Sequence, residues 1–326
     1  MRDIVGKRGW YFLLSALLIV PGVISMIIPP GWASGKSGLN PGIEFTSGSV
    51  LNITFEQPIS EAQVQDRMNA LGYNDALIQR IGGRTVLIRT KRLPEVAAGS
   101  ARSEKERIKE DLAENVAPIK SSQFDAVSPI VANETVRNAF IALLAASAGI
   151  LLYIWYAFRR VPKAWRYGTC AVVALVHDML FVLGVFSILG KVIHLEVNSM
   201  FVVGILTVAG YSVHDTIVVF DRIRENTSRH LDTTLTPLVN RSILETIGRS
   251  LNTSLTVMFV LLAMLLIGGP SIRGFLLVLA IGVVIGTYSS IFNASALLVA
   301  WDRGEIGRFF RRISRGGRRA ARTTTS

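Results

Sequence analysis

Six runs of apolar residues, each about as long as a helix that crosses a bilayer, decide what this chain can become. About 20 residues of α-helix cover roughly 30 Å of hydrocarbon, and such runs fall at 10–28, 138–158, 168–190, 199–220, 250–268 and 274–300. Half of the 326 residues are hydrophobic, and their gathering into runs excludes a single soluble core. Backbone inside hydrocarbon must satisfy its own polar groups, so each run is expected as a helix. The first run follows Arg2, Lys7 and Arg8, as a signal peptide would. Its core WYFLLSALLIVPGVISMII is long for one, and PPGWASGKSG after it carries no small-x-small cleavage site, so a retained helix is expected.

The net charge of +12 would suggest nucleic acid in a soluble protein. Here the position of each Lys and Arg relative to the runs carries the information. Arg2, Lys7 and Arg8 precede the first run; Arg159, Arg160, Lys163 and Arg166 separate the second from the third; Arg222, Arg224, Arg229 and Arg241 separate the fourth from the fifth. The tail adds eight arginines between Arg303 and Arg322, whereas the alternate connections hold only Lys191 and Arg273. This alternation predicts a cytoplasmic N-terminus over 1–9, an extracytoplasmic segment over 29–136, a bundle over 137–300 and a basic cytoplasmic tail over 301–326. Membrane lipids are the expected partner of that tail, and no nucleic acid is. The single Cys170 lies within the third run, so the outer segment folds without an internal disulfide.

That outer segment has its own pattern. Leu51, Ile53 and Phe55 alternate with Asn52, Thr54 and Glu56, as a half-buried strand requires. Ser60 with Gln63 three residues on forms a capping box that opens a helix over EAQVQDRMNALGY. ALIQRI, the Gly82-Gly83 turn and RTVLIRT read as a hairpin. Ile108, Leu112 and Val116 recur at helical spacing among charges over 101–116, and SSQFDAVSPIV closes the segment as an extended piece. The order β-α-β-β-α-β is that of a ferredoxin-like domain. The expected fold class is therefore a mainly α membrane protein of six transmembrane helices, with an extracytoplasmic ferredoxin-like α+β domain between the first and second.

Polar residues inside the runs are costly and mark sites. His177 and Asp178 stand near the middle of the third run. In the fourth, Gly204, Thr207, Tyr211 and Asp215 recur at helical spacing on one face, and His214 points about 100° away from Asp215. With the fourth helix leaving the membrane near Asp221 and the fifth beginning near Ile243, Asp215 and Arg249 come to one depth, roughly 9 Å from a shared boundary. Arg249, Asn252 and Thr256 form a second polar stripe, and Gly282, Gly286, Ser289 and Asn293 a small-residue stripe suited to close helix approach. Burial in low dielectric disfavours the charged form of a carboxylate and a nearby guanidinium favours it. A group balanced between the two exchanges a proton when a helix moves. A static Asp215–Arg249 pair that fixes helix register is the plainer alternative. The His-Asp doublets lack the i, i+4 spacing of a helical metal site and have no nucleophile beside them, which argues against an intramembrane enzyme.

Several segments, in this order, resemble one family. PGIEFTSGSVLNI is similar to the opening of the outer domain of SecF proteins, the protein-export membrane subunits that work with SecD, although Glu44 and Ser47 stand where that family usually has Asp and Gly. FDAVSPIVANETVRNA resembles the run before its second span, with Ser128 in place of Gly; VALVHDMLFVLG resembles its third span. AGYSVHDTIVVFDRIREN is similar to its most specific motif, with His214 where Asn is common, and IGRSLNTSLTVM and IGVVIGTYSSIFNASALLVAW resemble the last two spans. The resemblance implies a non-enzymatic accessory subunit of the Sec translocase in a bacterial inner membrane. Its partners would be SecD, the SecYEG translocon and an unfolded preprotein, and its energy source the proton gradient, with no cofactor. The positions that family uses for proton passage correspond to Asp215 and Arg249, with Asp178, His177 and His214 as further candidates for the relay. A half-size resistance-nodulation-division exporter of small molecules or lipids is the alternative.

Overall fold

The computed structural model describes residues 3–28, 38–90, 93, 103–159, 161, 163–230, 233–305, 307 and 308, and the side chains of Pro270 and Ser271 are not among them. Arg2, Arg160 and the basic tail beyond Arg308 lie outside the described residues. In chain order the elements are α1 (Arg8–Ile27), α2 (Ile43–Thr46), β1 (Gly48–Phe55), α3 (Glu61–Ala70), β2 (Leu77–Ile81), β3 (Thr85–Thr90), α4 (Glu104–Asn115), β4 (Ile119–Val127), α5 (Pro129–Ala157), α6 (Trp165–Val192), α7 (Ser199–Arg229), α8 (Leu235–Ile267), α9 (Pro270–Tyr288) and α10 (Ser295–Asp302). A π-helical stretch, Ser289–Ala294, joins α9 to α10. Six helices are long and apolar enough to cross a membrane, the last running from Ile272 to Asp302.

Two compact units result: Pro41–Ile141, and the remainder of the chain. In the first, the sheet order is β2-β3-β1-β4 with every neighbouring pair antiparallel, the arrangement of a split β-α-β unit. Leu51, Ile53 and Phe55 of β1 are completely buried with Val64 and Met68 of α3, Val86 and Ile88 of β3, and Ile108 and Leu112 of α4. The alternation in β1 and the helical spacing in α3 and α4 therefore meet in one core. Ser60 caps α3 as the sequence requires, accepting from Gln63 N–H while the Gln63 side chain accepts from Ser60 N–H. Arg67 of α3 and Asp111 of α4 clamp the two helices over that core. The last extended piece ends at Val127, earlier than SSQFDAVSPIV suggests, because Pro129 opens α5. Proline is preorganised for the first position of a helix and donates no ladder bond, so α5 begins at Pro129, ahead of the apolar run that opens at 138.

In the second unit, glycines set the distances between helices. Gly22 of α1 faces Gly184 of α6 so closely that a Cβ on Gly22 would meet the Gly184 backbone at 2.4 Å. A Cβ on Gly282 would meet Val208 at 2.1 Å, and one on Gly286 would meet Ser212 at 3.1 Å, so the small-residue stripe of α9 lies against α7. Lys191 near the end of α6 donates to the carbonyls of Ser25 and Ile28, which the end of α1 leaves free. α5 and α8 instead present large exposed apolar side chains, among them Leu144, Leu152, Leu251, Leu255 and Phe259, a surface suited to hydrocarbon.

Candidate functional site

The middle of the bundle is polar, and α6 starts it. Asp178 is fully buried, and both of its carboxylate oxygens are engaged. Ser212 Oγ of α7 donates to Oδ2 at 2.6 Å and Ser289 Oγ of the π stretch donates to the same oxygen at 2.7 Å. Oδ1 lies 2.9 Å from His177 Nδ1. The other ring nitrogen of His177 is 3.0 Å from Asn293 Nδ2, and Asn293 bonds to Ser15 of α1 in both directions, at 2.7 and 3.0 Å. A second branch runs through Ser290 Oγ, which lies 2.8 Å from Thr216 Oγ1 and donates to Ser212 O. A π turn adds a residue without a break, and here Ser289, Ser290 and Asn293 reach three different helices.

Asp215, one helical turn beyond Tyr211, is as buried as these groups, at 2% exposure, but its Oδ2 has no hydrogen-bond partner among the described residues. Cross-links between α7 and α8 show what lies at its level. Tyr211 Oη donates to Ser254 Oγ at 3.0 Å, Asn226 Nδ2 to Ser242 Oγ at 2.9 Å and Arg222 Nε to Glu245 Oε2 at 2.6 Å. Between the Tyr211 and Arg222 links, that register brings Asp215 level with Ser250 and, one residue before it, Arg249. Ser250 is buried, and its Oγ is likewise without a partner among the described residues.

The links between α7 and α8 therefore set Asp215 and Arg249 at one level along the two helices, but the expected contact between them is not made. α7 runs to Arg229 and α8 starts at Leu235, eight residues beyond each assumed boundary (221 to 229, and 243 back to 235). Both helices lengthen equally, so Asp215 and Arg249 stay level. However, Arg249 lies exposed on α8 beside Asn252 and Thr256, and no ion pair joins it to Asp215 among the described residues. One residue of helix turns it about 100° from the buried face that Ser250 occupies. The face expected to join Gly204, Thr207, Tyr211 and Asp215 is likewise divided. Gly204 and Asp215 are buried and Tyr211 is half-buried, but Thr207 is exposed and returns its hydroxyl to Val203 O at 2.8 Å. His214 is exposed. Arg222 and Asn226, towards the end of α7, both reach Glu245 of α8.

Sequence reasoning found His177, Asp178, Ser289 and Asn293 but missed Ser212, Thr216, Ser250 and Ser15. Their only signal is a small hydroxyl in an apolar helix, where packing is the ordinary explanation. Among the described residues no three His, Cys, Asp or Glu side chains gather to hold a metal.

A bundle of six long apolar helices with a hydrogen-bonded polar centre, carrying a ferredoxin-like unit after its first helix, defines a multi-pass membrane protein with an intramembrane acidic site. The family model described as "Protein export membrane protein SecD/SecF, C-terminal" matches residues 107–304, and the SecD/SecF GG motif matches residues 32–59. The chain is 43% identical to the protein translocase subunit SecF of Thermobaculum terrenum, over 96% of this chain and 98% of that one. It is 37% identical to SecF of Anaerolinea thermophila, over 96% and 98%. The crystal structure of SecDF, a translocon-associated membrane protein from Thermus thermophilus, superposes with a TM-score of 0.77 at 31% identity, over 93% of this chain and 39% of that one. The chain thus spans about two fifths of that solved protein. It belongs to the SecD/SecF family of protein-export membrane proteins.

Proposed function

We propose that this chain is the SecF-type accessory subunit of a bacterial Sec translocase and that, with a SecD-type partner, it couples the proton gradient to movement of an unfolded preprotein through SecYEG. In this reading it is not an enzyme and needs no cofactor. Asp215 takes up a proton from outside and releases it inward, and the accompanying shift of α7 against α8 is passed to the 41–141 unit on the extracytoplasmic side. Both termini lie in the cytoplasm of a cell whose inner membrane holds the bundle.

The observation that carries the proposal is the contrast between two buried carboxylates. Asp178 is held by three neighbours and is suited to fixing the bundle, whereas Asp215 keeps an unused acceptor at the level of Ser250, whose hydroxyl is also unused among the described residues. A buried polar atom without a partner is expensive, and such expense collects at working sites. Exposed Arg249 and His214 fit the same reading, because polar groups on the outside of a membrane bundle call for a protein neighbour. We assign that neighbour to the SecD-type subunit. The half-size exporter has no observation in its favour.

The test is preprotein export into inverted vesicles that contain the complete translocase. Asp215→Asn is expected to leave basal export intact and to remove the stimulation by the proton gradient. Full stimulation in that variant would take Asp215 out of the mechanism.

A further inference from the structure

At the end of the bundle where α6 begins, a cleft of about 170 Å³ lies between Val161, Lys163, Arg166, Tyr167, Leu235 and Leu298, with Asp302 at its margin. The export reading leaves it without a role. We propose that it binds the headgroup phosphate of an anionic phospholipid. The proposal rests on the chain spanning a membrane and not on the proton-coupled mechanism, so either can fail without the other.

The cleft carries two cations against one carboxylate. The Lys163 side chain is exposed and enters no hydrogen bond or ion pair among the described residues. Its backbone has φ +59°, a conformation costly for a lysine, which holds its side chain at the start of α6. Arg166 meets Asp302 only through Nη1, at 3.5 Å, and its side chain keeps 20% exposure, so the outer edge of the guanidinium is not used up by that carboxylate. An ammonium and a guanidinium edge with unused donors are what a phosphodiester oxygen pair accepts from.

The surroundings select a lipid over a soluble phosphate. Trp165 and Trp301 meet edge to face with centroids 4.9 Å apart, and the Arg166 guanidinium lies 5.9 Å from each ring. Tryptophan settles at the headgroup level of a bilayer, so the two rings place the cations at the depth of lipid phosphates. Val161, Leu235 and Leu298 supply an apolar wall for glycerol carbons and the first methylenes. Basic clefts between membrane helices are suited to acidic headgroups for this reason.

Native mass spectrometry of the full chain, released from neutral detergent with equal amounts of phosphatidylglycerol and phosphatidylcholine, tests the proposal. The wild type is expected to retain phosphatidylglycerol at least fivefold over phosphatidylcholine. Lys163→Asn, which tolerates the positive φ, and Arg166→Gln should each lower that preference at least threefold. Lys7→Gln removes the same charge from an exposed site elsewhere and should leave the preference unchanged. Lys163→Asn keeps the Arg166–Asp302 pair and so decides the matter if Arg166→Gln does not fold. An undiminished preference in Lys163→Asn would overturn the proposal. Displacement of the lipid by millimolar glycerol 3-phosphate would overturn the lipid assignment in favour of a soluble phosphate ester.

Discussion

Ser47 lies within the stretch matched by the SecD/SecF GG motif, directly before Gly48, and its backbone shows why glycine suits the position. Its φ of +62° with ψ of 172° follows the short helix α2, and Gly48 at φ +121° follows it into β1. A Cβ on Gly48 would meet Thr90 O at 2.7 Å, so glycine at 48 is favoured by both space and conformation, whereas at 47 the serine is accommodated at a conformational cost. A side chain in this region costs on the order of 1–3 kcal/mol, and glycine gives back roughly 0.5–1 kcal/mol in the unfolded chain. Ser47→Gly should therefore stabilise the sheet by about 1 kcal/mol. Hydrogen exchange of the β1 and β3 amides should slow about fivefold, and faster exchange would refute the strain argument. The departure itself was legible in the sequence, whereas its physical meaning needed the dihedral angles. Arg249 divides the same way: its depth followed from counting residues, but its outward direction depended on which α8 face packs against α7.

The π stretch Ser289–Ala294 is the element on which the polar centre depends. By widening one turn it sends Ser289 to Asp178, Ser290 to Thr216 and Asn293 to both His177 and Ser15. The sequence showed Gly282, Gly286, Ser289 and Asn293 as a stripe of small residues, and the glycines do lie against α7. A π turn has no propensity signal that distinguishes it from α-helix over six residues, so the roles of the serines stayed hidden. The strands and capping box of the ferredoxin-like unit were legible because their patterns are local and periodic. The Asp178 cluster joins positions 111 residues apart, and no local pattern encodes that. If Ser289 acts through Asp178, the two positions must couple. Ser289→Ala removes one donor and should cost about 1–2 kcal/mol, and Asp178→Asn should cost about 2–3 kcal/mol because its amide cannot accept from every donor around it. The double variant should fall short of the sum by about 1 kcal/mol in thermal unfolding. Strict additivity would separate the π stretch from the acidic centre.

At the scale of the whole molecule, the bundle must hold its first helix, which the sequence separates from the others by the ferredoxin-like unit. Two clamps do this near the start of α1. Ile4 and Val5 donate their N–H groups to Asn240 Oδ1 at 2.7 and 3.3 Å, and Arg8 forms a bidentate pair with Glu305, just past α10. The first clamp is neutral, and the second titrates. Hydrogen bonding from Arg8 holds the Glu305 carboxyl below the usual glutamate range. A depressed carboxyl contributes stability that is fully present above its unfolded value, near 4.5, and is lost as pH falls through its folded value. Acidification below about pH 4.5 should therefore loosen the start of α1 while Asn240 still holds Ile4 and Val5. Hydrogen exchange of the first-turn amides of α1, corrected for intrinsic rates, should rise over that window in the wild type. Glu305→Gln should show raised exchange already at neutral pH and no further rise in the same window. An equal acid-induced rise in Glu305→Gln would assign the pH dependence to another carboxylate and leave Asn240 as the clamp that matters.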